Sequence, residues 1–348
     1  MIPRRLIAIV LLSSSSILLA QQGAHPANPL TLDVVVNDKS GMPVPGLTQQ
    51  DFTILDNKQP QKILSFEAVG QTASPANGPA IILLIDAVNT SFSKVAYARD
   101  QLNKFLQREN GKLAHPTSIA VLSDSGLTMQ DAPSTDGNAL MAYLDQHQTG
   151  LRTSRRSQGF YGAAERAELS LRSLTELAEV EARRPGRKIV IWISPGWALL
   201  TGPRVIIASQ QQQGIFNSVV SLSAQLRQSR ITLYSVDPLG SDASTFRTSY
   251  YREFLKGISG PSKAQFGDLA LQVLAVQSGG RVFNSSNDVA GEIERSVRDA
   301  NAYYVLSYVP PPADGPNEYH AINVQLARPD LKAQTRTGYY AQPPGPNH

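Results

Sequence analysis

Three carboxylates stand where a parallel sheet would bring oxygen atoms together. Asp86 ends the apolar run in "IILLIDAVNT", Asp124 follows "SIAVLS", and Asp237 follows "ITLYSV". Each closes a stretch that reads as a buried strand, and the carboxyl ends of such strands share one rim, where these sheets hold their ligands. Carboxylate oxygens gathered there suit a hard divalent cation. The plainer role for each is a turn or helix cap, because Asp accepts backbone N–H bonds.

Other chemistry has little to work with. The five histidines, His25, His115, His147, His320 and His348, show no HExxH spacing, and the absence of cysteine leaves no thiolate and no zinc cluster. There is no Gly-x-Ser-x-Gly elbow and no Walker loop. "ISPGW" puts Ser194 after a strand without a plausible His partner, so it reads as a turn, and turnover is not expected. Arg152, Arg155 and Arg156, in "GLRTSRRSQG", belong to a loop expected at the same rim. They would oppose a cation there, and either lie in solvent or meet an acidic partner. Trp192 reads as core and Trp197, beyond Pro195 and Gly196, as exposed at the rim. "EARRPGRK" (181–188) reads as a solvated turn at the opposite rim, and "QQQQ" (210–213) as a lengthened loop.

The elements that must position these residues follow from periodicity. "AIILLID", "SIAVLS", "KIVIWIS" and "ITLYSVD" are apolar strands alternating with helical patterns such as Val95, Ala98, Leu102 and Phe105. Strand-helix alternation over residues 80–300 predicts an α/β domain with a doubly wound, mostly parallel sheet. The flanks differ. "LTLDVVVND" alternates as a half-buried strand does, "DKSGMPVPG" is dense in turn formers, and after Asn301 β grammar returns in "AYYVLSYVP" and "YHAINVQLA". Neither flank is large enough to bury a core alone. Residues 28–69 and 301–341 are therefore expected to pack together as one small β-sandwich-like domain, joined through the polar linker 70–79. "MIPRRLIAIVLLSSSSILLA" has a basic start, an apolar stretch and Ala20, the layout of a signal peptide over residues 1–20. This predicts export to the periplasm or the medium, with no membrane span afterwards. The net charge is +4, nearer +2 without Arg4 and Arg5, too weakly basic for nucleic acid.

Asp86 with Thr90, followed by strand-helix units, resembles the von Willebrand factor type A domain. More narrowly, "VVVNDKSGMPVPGLTQQDFTILDNKQPQKILSFEAV", "LLIDAVNTSF", "GRKIVIWISPGW", "AYYVLSYVPP" and "RPDLKAQTRTGYYA" look like a bacterial family of exported proteins with that domain, known mainly from acidobacteria. The resemblance implies a protein-binding module of adhesion type, with another protein as partner. It also implies a metal-ion-dependent adhesion site, in which Asp-x-Ser-x-Ser, a Thr and a strand-ending Asp hold Mg²⁺. Asp86 matches the first ligand and Thr90 the second hydroxyl, but Val88 replaces the first hydroxyl. Ser194, Pro195 and Gly196 stand where the closing acid is expected, and Thr153, Ser154 and Ser157 leave the loop Thr undecided. The site is thus degenerate, with at most weak Mg²⁺ on Asp86, Thr90 and a substituting Asp237. Partner contacts are expected at Asp86, Asn89, Thr90, Arg152, Arg155, Arg156 and Trp197. The alternatives are a structural module binding through β edges without metal, and, further off, a hydrolase at the Asp86 rim.

Overall fold

Apolar runs that do not alternate need cover on both faces, and the computed structural model shows what provides it. The structure describes residues 29–70, 78–147, 159–197, 207–240 and 249–343. β5 (Ala80–Asp86), β9 (Lys188–Ile193) and β10 (Ile231–Val236) are buried along nearly their whole length. They run parallel with β6 (Lys112–Ser123) and the short β11 (Val282–Phe283). Two further strands, β7 (Gly126–Met129) and β8 (Ser134–Asp136), pair antiparallel with β6. The sheet is therefore seven-stranded and mixed, in the order β11-β10-β9-β5-β6-β7, with β8 also on β6.

Side chains alternate across this sheet, so each strand serves two cores. Ile82, Leu84, Val190 and Trp192 pack with α3 (Gly159–Ala182), α4 (Ser209–Gln228) and α5 (Leu271–Gln277). Ile81, Leu83, Ile85, Ile189 and Ile191 pack with α1 (Phe92–Leu106), α2 (Gly137–Gln146) and α6 (Val289–Arg298). α1 buries Val95, Ala98, Leu102 and Phe105, the face its spacing predicts. α2 starts where Asp136 accepts from Asn138 N and Ala139 N. The Gln210–Gln213 run is not a lengthened loop but forms the opening turns of α4, consistent with the good helix propensity of Gln.

The flanks meet each other. β1 (Leu30–Asn37) and β4 (Ser65–Val69) precede the α/β domain and β12 (Tyr303–Tyr308) follows it, yet β12 runs antiparallel between them. β14 (Lys332–Gln334) adds to the other edge of β1. The facing sheet has the order β15 (Gly338–Ala341), β13 (Glu318–Leu326), β2 (Phe52–Asp56), β3 (Gln59–Gln61). Leu30, Leu32, Val34 and Val36 of β1 share one core with Ile54, Ile322 and Val324 from that sheet.

The basic run before β9 is not a solvated turn. Glu181, Arg187 and Lys188 are buried. Arg187 donates to the Asp299 carbonyl at 2.9 Å and stacks 4.8 Å over the Tyr303 ring, while Lys188 Nζ donates to the Ser229 carbonyl at 3.0 Å. Carbonyls at the amino-end floor of the sheet need donors, and long cationic side chains reach them.

Inside the sandwich, Asp56 is fully buried at the end of β2. One oxygen pairs with His320 Nδ1 at 2.8 Å; the other accepts from the Tyr308 and Tyr339 hydroxyls, each at 2.8 Å. Burial drives both phenols above their ordinary range, so they stay protonated as donors. Removing the acceptor strands three buried groups at once. Asp56→Ala is expected to lower stability by about 3 kcal/mol or more, read from the midpoint of urea unfolding; a loss under 1 kcal/mol would refute this account.

Candidate functional site

β5 and β9 pair in register from Ala80–Lys188 to Ile85–Ile193. The next residues, Asp86 and Ser194, therefore leave the sheet side by side. Asp86 is wholly buried, and its carboxylate takes five donors. Oδ1 accepts from the backbone N–H groups of Val88 and Asn89, both at 2.9 Å. Oδ2 accepts from Asn89 Nδ2 at 2.8 Å, Ser194 Oγ at 2.8 Å and Trp192 Nε1 at 3.1 Å. Asn89 Nδ2 is also 2.8 Å from Ser170 Oγ on α3, which ties the loop to the helix above it. Asp86 is not the cap of α1, since Ser91 holds that position. It anchors the β5–α1 loop to the end of β9.

This donor set does not fit a divalent cation. Mg²⁺ needs near-octahedral oxygen ligands with lone pairs directed at it. Both Asp86 oxygens instead face N–H and O–H hydrogens, which a cation would have to expel. Thr90 Oγ1 and Asn89 Oδ1 are buried and meet no hydrogen-bond partner among the described residues, but one hydroxyl and one amide oxygen bring no charge. Asp237 is buried at the end of β10, where Oδ1 accepts from Leu239 N at 2.8 Å. Because β9 lies between β10 and β5, the two strand ends stand about 10 Å apart. Asp124 is in the β6–β7 turn and lines a separate cleft with Glu165, Glu168 and Arg172 of α3. Among the described residues, no group of three or more His, Asp or Glu side chains is placed to hold a metal ion.

Trp197 is not at the surface. It is 3% exposed, its indole N–H donates to the Leu269 carbonyl at 2.9 Å, and its ring meets that of Trp192 edge-on at 5.7 Å. Gly196 makes this return possible. Its φ of +80° is open to glycine, and a Cβ there would press on the Gln272 amide at 2.9 Å. Arg152, Arg155 and Arg156 lie outside the described residues. Among the described residues of the rim, the large apolar side chain that is exposed is Phe92, the first residue of α1, at 59%. Beside it runs a cleft of about 350 Å³ lined by Ser93, Lys94, Tyr97, Pro238 and Asn287. Sequence reasoning passed over Ser170, Ser194 as a donor, and Phe92. Counting residues from the start of each strand would have paired Asp86 with Ser194; nothing in the sequence marks Ser170.

Near Asp237, Glu292 of α6 is almost fully buried. Burial above all raises its pKa to about 7 against the pull of Arg295, and the charges of Asp288 and Asp237 add to the rise.

No family model matches the chain, and no curated protein matches it. Among solved structures, proximal thread matrix protein 1 from the mussel byssus aligns with TM-score 0.39 and 14% identity over 69% of this chain and 49% of its own. The pilus adhesin SpaC from Lactobacillus rhamnosus GG, in its open conformation, gives 0.38 and 9% over 86% and 49%. The human COPII-coat protein Sec24c gives 0.35 and 8% over 77% and 44%. The chain spans about half the length of each.

Two outcomes follow from this geometry. Asp86→Ala leaves buried donors from Val88, Trp192 and Ser194 unmet and is expected to cost about 3 kcal/mol or more, with altered tryptophan fluorescence from Trp192; a neutral effect in urea unfolding would sink the anchor role. Glu292 binds its proton more tightly in the folded chain, so its contribution is full below about pH 4.5 and is lost as pH rises through about 7. Glu292→Gln is therefore expected to raise the melting temperature at pH 8 by about 2 °C or more and leave it unchanged at pH 4. An equal shift at both pH values would contradict it.

Proposed function

We propose that the chain is an exported, non-enzymatic protein-binding module. Its α/β domain is of the von Willebrand factor type A kind, is carried on the β-sandwich built by both flanks, and meets its partner at the carboxyl-end rim without a divalent ion. The observation that carries the metal-independent reading is the Asp86 carboxylate, whose two oxygens already accept five protein donors. An ancestral ligand position has become a structural anchor, with Ser194 and Trp192 supplying the positive ends that a cation would supply. Contact with a partner then falls to what the rim exposes, Phe92 and the cleft with Lys94 and Tyr97 beside it. An aromatic flanked by a cation and a phenol suits an apolar patch bordered by acid on the other protein. Export rests on the first twenty residues. No helix among the described residues is long and apolar enough to cross a membrane.

The test pairs a thermal scan with partner capture. The chain without residues 1–20 should melt at the same temperature in EDTA, Mg²⁺, Mn²⁺ and Ca²⁺, since a ligand at a hundredfold excess over Kd would add about 2.7 kcal/mol. A protein crosslinked to this chain in its native envelope or medium, then purified, should bind equally well in EDTA. Phe92→Ala should weaken that binding about tenfold or more. A metal-dependent rise in melting temperature that Asp86→Ala abolishes would overturn the proposal.

A further inference from the structure

At the floor of the α/β domain, opposite the Asp86 rim, three arginines converge on one small enclosed space. Arg227 is in the last turn of α4, Arg230 begins the approach to β10, and Arg336 follows β14 of the sandwich. All three line the same cavity with Asp33 of β1, Ser278 and Thr335. The cavity lies where α4 and β10 of one domain meet β1 and β14 of the other, and has room of about 10 Å³, the size of a single water-sized particle.

The charges around it do not balance. Asp33 is the one carboxylate in the lining, and both its oxygens accept from Arg230. Three guanidinium groups against one carboxylate leave two positive charges. Arg336 is 8% exposed, and neither its guanidinium nor that of Arg227 donates a hydrogen bond to any described residue. Each carries five N–H donors and cannot shed its charge at neutral pH. The neighbouring phenols do not help. Tyr308 and Tyr339 donate to Asp56, and Tyr319 donates to the Thr337 carbonyl at 3.2 Å. Ser278 Oγ is already engaged with the Ala275 carbonyl and Leu233 N. Thr335 Oγ1 is buried and without a partner among the described residues. Burial first, then the charge of Arg227, pulls the pKa of Arg336 down to about 10, so it stays cationic at pH 7. Of the three arginines, exposed Glu67 acts on Arg230.

A guanidinium as buried as that of Arg336, without an acceptor among the described residues and beside half-buried Arg227, is costly, and a negative charge would relieve it. We propose that Arg227, Arg230 and Arg336, with the Thr335 hydroxyl, form a binding site for a chloride-sized monovalent anion at the junction of the two domains. The small room suits a monatomic ion better than a polyatomic one. Phosphate or sulfate, with four oxygens around a centre, does not fit. A neutral water would offer acceptor lone pairs but leave both charges. Because ligands come from α4 on one side and the β14–β15 segment on the other, the anion would fasten the sandwich to the α/β domain. It is independent of what the rim binds.

The experiment is a thermal scan of the whole chain in sodium chloride against sodium gluconate at matched ionic strength, with crystals soaked in sodium bromide. Above the dissociation constant, each tenfold rise in chloride should raise the melting temperature by about 2 °C, and Arg336→Met should abolish the dependence. Arg227→Met, at a less buried position, serves the same purpose if Arg336→Met does not fold. An anomalous bromide peak is expected between Arg227 and Arg336. Equal melting temperatures in the two salts, with no such peak, would overturn the site.

Discussion

β12 hydrogen-bonds on both edges to strands made more than two hundred residues earlier, with Tyr304 opposite Val34 on one side and Ala68 on the other. Everything else depends on that pairing. Without β12, the facing edges of β1 and β4 stay open and the core loses Tyr304, Leu306 and Tyr308. With it, the two ends of the α/β domain are held beside each other, because β4 is joined to β5 through the linker 70–79 and α6, ending at Arg298, leads into β12 at Tyr303. The sandwich core and the doubly wound sheet are thus coupled through chain connectivity as well as contact. Pairings at such sequence separation carry a large loop-closure cost before they yield any contact energy. The inserted domain, rich in local strand-helix units, reduces that cost by bringing its own ends together once folded.

The same logic of matched strand ends explains the Asp86 cluster. Parallel register between β5 and β9 delivers Asp86 and Ser194 to one place and sets Trp192 on the same face two residues before. A carboxylate buried there would be costly alone, and the cost is offset by donors from its own loop and from the neighbouring strand. Neutral donors from the loop and from β9 satisfy both carboxylate oxygens.

Much of this was legible in the sequence, and the reasons are physical. Apolar runs of six or seven residues without alternation, short and rich in Ile and Val, fit strands covered on both faces, which is why β5, β9 and β10 stood out. α1 was legible for the opposite reason, its apolar residues returning every three or four positions. The small β7 and β8 were not, because four and three residues carry no period that can be read. Trp197 and the run from Glu181 to Lys188 misled for a common reason. Polar flanks and turn formers suggest solvent, whereas burial here is decided by what the floor and the β9 loop fold against. Arg187 and Lys188 are buried because carbonyls at the strand starts need donors, a demand visible only once the strands are assembled.

The two ends of the α/β sheet solve opposite electrostatic problems. At the carboxyl ends, Asp86 is balanced by dipoles while Glu292, near Asp237 and Asp288, is pushed toward holding its proton. At the amino ends the problem is excess positive charge, since Arg187, Lys188, Arg230 and Arg281 crowd the floor against the carboxylates of Asp33, Glu181 and Asp299. Arg230 and Arg281 find acids on partners from elsewhere in the fold, Asp33 of β1 and Asp299 after α6. Asp299 also accepts from the Tyr234 hydroxyl at 2.6 Å, so that a single carboxylate ties β10, α6 and the sandwich-facing Arg281 together. Ion pairs such as Arg230–Asp33 bridge the two domains at the floor, whereas Asp86 at the carboxyl ends is held by neutral hydrogen bonds.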